Sequence, residues 1–176
     1  MRGLNRAYAI AAIILIAIVA LIAVDALQAG QFGPGGEASG EKAQDFTLKD
    51  IYGRQFSLSD FKGKVVILDF FTTYCEPCKA EIEELKQLKS RFGAQIVIIS
   101  ISVYPGDTDD VLRDYAEEHG ITWRVARDTA NLASAYGVSA VPTLVIIDRD
   151  GYIRHKHVGL TSYEALESEV MELLGA

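Results

Sequence analysis

VVILDFFTTYCEPCKAEIEEL, residues 65–85, joins two kinds of sequence at a pair of cysteines. From Lys64 to Phe71 the chain is a near-continuous run of β-branched and aromatic residues. That is the pattern of a strand buried on both faces, as at the centre of a parallel sheet. Beyond the cysteines, Ala80, Ile82, Leu85, Leu88 and Phe92 recur at helical spacing, and Gly93 supplies a stop. Cys75 and Cys78 are the chain's two cysteines, and they stand where a strand gives way to a helix. Such a pair can be half of a zinc site, a short structural staple or a redox couple.

On the N-terminal side, DFTLKDIYGRQFSLSDF, residues 45–61, holds two short strand-like stretches around the turn signal Asp50-Ile51-Tyr52-Gly53, which predicts a hairpin. On the C-terminal side, AQIVIISISV, residues 94–103, reads as a second buried strand. Asp107 and Asp110 are expected to open a helix with Val111, Leu112 and Tyr115 inward and Gly120 at its end. TWRVARD reads as a short strand and ANLASAYGV as a short helix. TLVIID and YIRHKHV flank the turn Asp148-Arg149-Asp150-Gly151, a further hairpin. A last helix is expected from Thr161, with Glu164 completing a capping box and Tyr163, Leu166, Val170 and Leu173 as its buried stripe. Strands alternating with helices predict an α/β domain with a mixed sheet.

The chain has 176 residues, a net charge of −7 and 49% apolar residues. That allows one sizeable core and argues against a basic nucleic-acid-binding surface. From Ala7 to Val24 there are 18 residues without a charge, preceded by Arg2 and Arg6. At about 1.5 Å per residue such a helix nearly spans a bilayer core, and the positive flank keeps the N-terminus cytoplasmic. Residues 1–27 are therefore expected to be a transmembrane anchor or uncleaved signal; a signal peptide cleaved near Val24-Asp25-Ala26 is the alternative. Residues 28–43, rich in Gly and polar residues, read as a flexible linker to a domain over 44–176.

An exported domain with one cysteine pair gains little from so short a loop, which weakens the staple. Zinc would need further ligands from His119, His155 or His157, and the His155-x-His157 spacing departs from the usual pattern. A redox couple suits the junction best. At a helix start, unpaired N–H groups and the macrodipole favour a thiolate at Cys75. Cys78 lies one turn further in, and Pro77 costs nothing in a first turn.

VVILDFFTTYCEPCKAEIEEL resembles the active-site strand and helix of thioredoxin-like proteins, and YGVSAVPTLVIID resembles their cis-proline segment. With the leading hairpin and N-terminal anchor, residues 43 to 175 look most like the TlpA/ResA-like membrane-anchored thiol–disulfide oxidoreductases. The resemblance implies a thioredoxin fold: a central mixed sheet flanked by helices, with an N-terminal hairpin extension, here preceded by one transmembrane helix. It implies a redox-active Cys75–Cys78 disulfide with no other cofactor and no metal. It also implies a cis Val141–Pro142 bond beside the sulfurs. Tyr74, Glu76, Pro77, Val141 and Pro142 would meet the substrate. Tyr74 stands where the family usually has Trp, Ile82 where its helix often has Pro, and Gln44 where a Pro often opens the hairpin.

Asp69 matches the family's buried acid, and an acid inside a core strand is anomalous enough to suggest a raised pKa and proton transfer with Cys78. Glu81 matches an acid near the pair in the same branch. The expected function is reduction of disulfides in exported proteins such as apocytochrome c, with electrons from a membrane-embedded donor and the domain a monomer outside the cytoplasm. A disulfide-donating oxidase of the same fold and a metal-delivery or binding module are the alternatives. The Pro-x-x-x-Thr/Ser-x-x-Cys pattern of a peroxiredoxin is missing before Cys75.

Overall fold

The computed structural model describes residues 40–175. The expected anchor, residues 1–27, and the linker up to residue 39 lie outside the described residues. In chain order the elements are β1 (Thr47–Lys49), β2 (Gln55–Ser57), β3 (Val65–Phe71), α1 (Glu76–Phe92), β4 (Ile96–Ser102), α2 (Asp109–Glu118), β5 (Arg124–Arg127), α3 (Leu132–Ala135), β6 (Thr143–Ile147), β7 (Ile153–Val158) and α4 (Tyr163–Leu174). β1 and β2 form the predicted hairpin. The main sheet has the order β5-β4-β3-β6-β7, with β3, β4 and β5 parallel and β6 antiparallel to both β3 and β7.

β3 sits at the centre and every one of its residues is buried. Because side chains alternate across a strand, its odd and even positions serve different layers. Val66, Leu68 and Phe70 meet Phe46, Leu48 and Phe56 of the hairpin region and Leu132 of α3. Val65 and Ile67 meet Leu85 and Leu88 of α1 and Leu166 and Val170 of α4. Phe71 continues that second face toward Cys75, Cys78 and Ile82. Burying a large apolar side chain contributes about 1.5–3 kcal/mol. Six such residues on β3 leave room for one costly member, Asp69.

α1 buries Cys78, Glu81, Ile82, Leu85, Leu88 and Phe92. The stripe starts at Cys78 rather than Ala80, which is exposed. Ile82 continues the helix without a break, and Gly93, at a φ of 55°, ends it. α2 is capped by Thr108, whose hydroxyl accepts from the Val111 amide; Asp107 is not the cap but turns inward. Val111 is exposed, and Leu112, Tyr115 and Ala116 face the core instead. α4 is capped by Ser162 rather than Thr161, with its hydroxyl accepting from the Ala165 amide.

The fold begins earlier than the expected boundary at 44. The Gly40 amide donates to the Ile153 carbonyl at 3.0 Å, and the Ile153 amide to the Glu41 carbonyl at 2.8 Å. Lys42 pairs with Tyr152 in an isolated bridge. Residues 40–43 thus run along the start of β7, not in a free linker.

Candidate active site

Cys75 and Cys78 form a disulfide between the end of β3 and the first turn of α1. Cys75 is itself the N-cap residue. Its Sγ accepts from the Cys78 amide at 3.2 Å, and its carbonyl accepts from the Lys79 amide at 3.3 Å. The sulfur thus occupies the place where a serine or aspartate oxygen would satisfy a helix N-terminus. Cys75 is 9% exposed and Cys78 2%, so Cys75 is the outer member. Glu76 and Pro77 are exposed on the rim, and Glu76 pairs with Lys79 at 2.6 Å. An exposed pair of that kind adds little stability.

Tyr74 is 65% exposed and meets the Tyr104 ring edge-on, with centroids 5.0 Å apart. The loop carrying Tyr74 is held by the turn that follows β4. Asp107 Oδ2 accepts from the Thr73 amide at 3.2 Å and from the Ser102 hydroxyl at 2.5 Å, while Oδ1 accepts from the Thr73 hydroxyl at 2.7 Å. Opposite lies the Val141–Pro142 bond, which is cis as the resemblance implied. Val141 packs against the cluster that contains both cysteines. The Pro142 carbonyl accepts from the Gly159 amide at 2.8 Å, and the Thr143 hydroxyl donates to the Ala140 carbonyl at 2.7 Å.

Both acids lie inside. Asp69 has the parity of Ile67 and Phe71, so it faces α1, and it is 2% exposed. Burial pushes its pKa up to about 7, against a lowering hydrogen bond from the Ser100 hydroxyl at 2.6 Å. Glu81 follows Cys78 by three positions on the buried stripe of α1. Burial, then the charge of Asp69, pushes Glu81 up to about 8, while the Thr161 amide, donating to Oε1 at 3.0 Å, holds it down. Asp69 ionises first and its charge delays Glu81. The Glu81 Oε2 atom has no hydrogen-bond partner among the described residues.

The histidines are placed elsewhere. His155 and His157 of β7 flank Glu169 of α4, with nitrogen–oxygen distances of 3.4 and 3.0 Å. His119 lies against the Tyr115 ring, with centroids 4.3 Å apart. Ser100 and Trp123 bear no mark in the sequence, and Asp107 and Thr161 read there only as helix starts; in the structure Ser100 bonds Asp69, Trp123 bonds Ser100, Thr161 bonds Glu81 and Asp107 bonds Thr73.

A family model described as the AhpC/TSA family matches residues 39–156. The chain is similar to the thioredoxin-like protein YneN of Bacillus subtilis (strain 168), at 29% identity over 136 residues, 77% of this chain and 80% of that protein. It is similar to the thiol-disulfide oxidoreductase ResA of Geobacillus thermodenitrificans (strain NG80-2), at 32% identity over 134 residues and 76% of each chain. Among solved structures it is similar to a thiol:disulfide interchange protein of Chlorobium tepidum TLS, with a TM-score of 0.70 and 27% identity over 79% of this chain and 99% of that one. A helix-capping cysteine pair on a thioredoxin fold and a match of this extent lead to one conclusion: the chain belongs to the AhpC/TSA family and is a thioredoxin-like thiol–disulfide oxidoreductase.

Proposed function

We propose that this oxidoreductase works as a reductant of disulfides in exported proteins, apocytochrome c among them, from an anchored position outside the cytoplasm. The observation that carries the direction is the pair of buried acids on the inner side of the disulfide. Strong oxidants of this chemistry owe their potential to a stabilised reduced form. Negative charge on these acids, carried at neutral pH mainly by Asp69, works against a thiolate in their vicinity, so the dithiol is left the less stable and more reducing state. The N-terminal apolar run with its leading arginines supports the location. The Cys-Glu-Pro-Cys form of the motif, which resembles that of some apocytochrome c reductants in the TlpA/ResA-like branch, supports the client.

The steps follow from position. The Cys75 thiolate, facing the Cys78 amide at the helix start, attacks one sulfur of the client disulfide. A mixed disulfide forms, and the second client sulfur leaves as a thiolate. Cys78 gives its proton to the Asp69 carboxylate and attacks Cys75, whose bond to the client breaks. The client leaves with two electrons and the Cys75–Cys78 disulfide is restored. A membrane-held dithiol donor then reduces it for the next cycle. Tyr74, Glu76, Pro77, Val141 and Pro142 form the rim that the client meets, with Glu81 as the second proton carrier.

Two measurements test this reading. Redox titration against glutathione buffers is expected to give a potential near that of thioredoxin, about −270 mV. A value near about −120 mV would make the protein a disulfide donor instead. In its own membrane, Cys78→Ser is expected to accumulate client adducts after acid quenching, and Cys75→Ser far fewer. Adducts that predominate on Cys75→Ser would reverse the two roles.

A further inference from the structure

The buried acid on β3 is the inner end of a chain of hydrogen bonds. The Trp123 indole N–H donates to Ser100 Oγ at 2.9 Å, and Ser100 Oγ donates to Asp69 Oδ2 at 2.6 Å. Register explains the second link: β3 and β4 are parallel, and Asp69 lies directly opposite Ser100. Trp123 stands immediately before β5, which pairs with β4 on its other side. An indole nitrogen can only donate, and an ionised carboxylate can only accept. Ser100 has one hydroxyl proton, so with Trp123 filling a lone pair, that proton is directed onto Asp69. Ser100 is 1% exposed, which removes bulk solvent as a competitor. A hydroxyl that accepts one hydrogen bond becomes a stronger donor in the next.

We infer that Trp123, acting through Ser100, is a positioning residue that sets the proton affinity of Asp69. The inference rests on the reading of Asp69 as proton carrier to Cys78 and extends it to Trp123, which packs against the cluster that holds both cysteines and whose indole N–H goes to Ser100. Other groups also face Asp69. Glu81 lies above it on α1, and Tyr115 of α2 senses its charge together with that of Asp107. On β6 its partner is Leu144, which does not titrate, and the disulfide sulfurs do not titrate either. The Ser100 hydroxyl is the donor that favours the charged form of Asp69.

The test uses the oxidised full chain in micelles with its aspartate carboxyl carbons labelled, so that the Asp69 resonance is followed against pH. Asp69→Asn identifies that resonance. Trp123→Phe is expected to move its midpoint up by about 0.5 pH unit, and Ser100→Ala by about 1. In the Ser100→Ala background, adding Trp123→Phe is expected to move it no further, since the path is cut. Equal shifts with and without Ser100, or no shift for Trp123→Phe, would overturn the inference. The unaltered chain supplies a check independent of folding: Trp123 emission should titrate with the Asp69 midpoint, survive Glu81→Gln and vanish in Asp69→Asn. Emission that is flat through the Asp69 midpoint would also overturn it. The pH profile of disulfide reduction separates the underlying reading. If Asp69→Asn leaves that profile unchanged while the carbon and emission midpoints behave as stated, the proton-carrier role fails and the Trp123 inference stands.

Discussion

Glu81 and Asp69 are the same kind of group under slightly different loads. Glu81, at about 8, is mostly protonated at neutral pH, whereas Asp69, at about 7, is divided between its two forms. On the proposed mechanism that splits the labour: Asp69 would take the proton of Cys78, and Glu81 would return one to a departing thiolate. Resolution of the mixed disulfide should therefore quicken as pH rises through about 7. Asp69→Asn is expected to slow that step about 100-fold at pH 7.5, read by acid-quenched flow on a labelled client peptide. An unchanged rate would remove Asp69 from proton transfer. Glu81→Gln is expected to leave the first limb of the profile and abolish a second, more alkaline one. The burial of both acids was partly legible in the sequence, because a lone acid in VVILDFF and a carboxylate among the apolar positions of a helix both break a pattern. Trp123 and Ser100 were not legible. Their significance depends on a strand register that joins positions far apart in the chain.

The loop between β3 and α1 is held by a different element, the turn that leads into α2. Asp107 accepts three hydrogen bonds there, from Thr73 twice and from Ser102. Hydrogen bonds to a charged group contribute about 1.5–3 kcal/mol each, and partner loss leaves buried donors unpaired. Asp107→Ala is expected to lower stability by about 2–4 kcal/mol and to release the Thr73 amide to hydrogen exchange, with Tyr74 losing its contact to Tyr104. Retained protection of Thr73 would mean that the loop holds itself. The same turn shows where sequence reading stops. Asp107 and Thr108 are both good helix caps, and only the distant partners Thr73 and Ser102 decide which one turns inward. Thr161 and Ser162 present the same ambiguity, settled by the Glu81 carboxylate that claims the Thr161 amide. β3 and α1 were legible throughout because a fully buried strand and a one-sided helix leave strong periodic marks. Only the outward turn of Ala80 departs from that reading.

Across the whole molecule the buried acids make stability depend on pH in an unusual direction. Both pKa values are raised above their unfolded values of 3.8 and 4.5, so the folded state binds more protons than the unfolded one between about 4 and 8. Stability is then full below the unfolded values and is lost as pH climbs through the folded ones. For Asp69 the loss is on the order of 4 kcal/mol. The oxidised protein is expected to melt at a higher temperature at pH 5 than at pH 8.5, and Asp69→Asn should flatten that difference. A melting temperature that rises from pH 5 to 8.5 would contradict the burial of both carboxyls in solution. The bridging of Gly40 and Lys42 to the start of β7 has a consequence on this scale too. β7 begins beside those residues and ends at Val158, opposite Thr143 and next to the Pro142 loop. Strands rise about 3.3 Å per residue, so the disulfide sits at the far pole, roughly 20 Å from where the preceding chain enters. An attachment made at that end of β7 leaves the disulfide free to meet a client at the opposite pole.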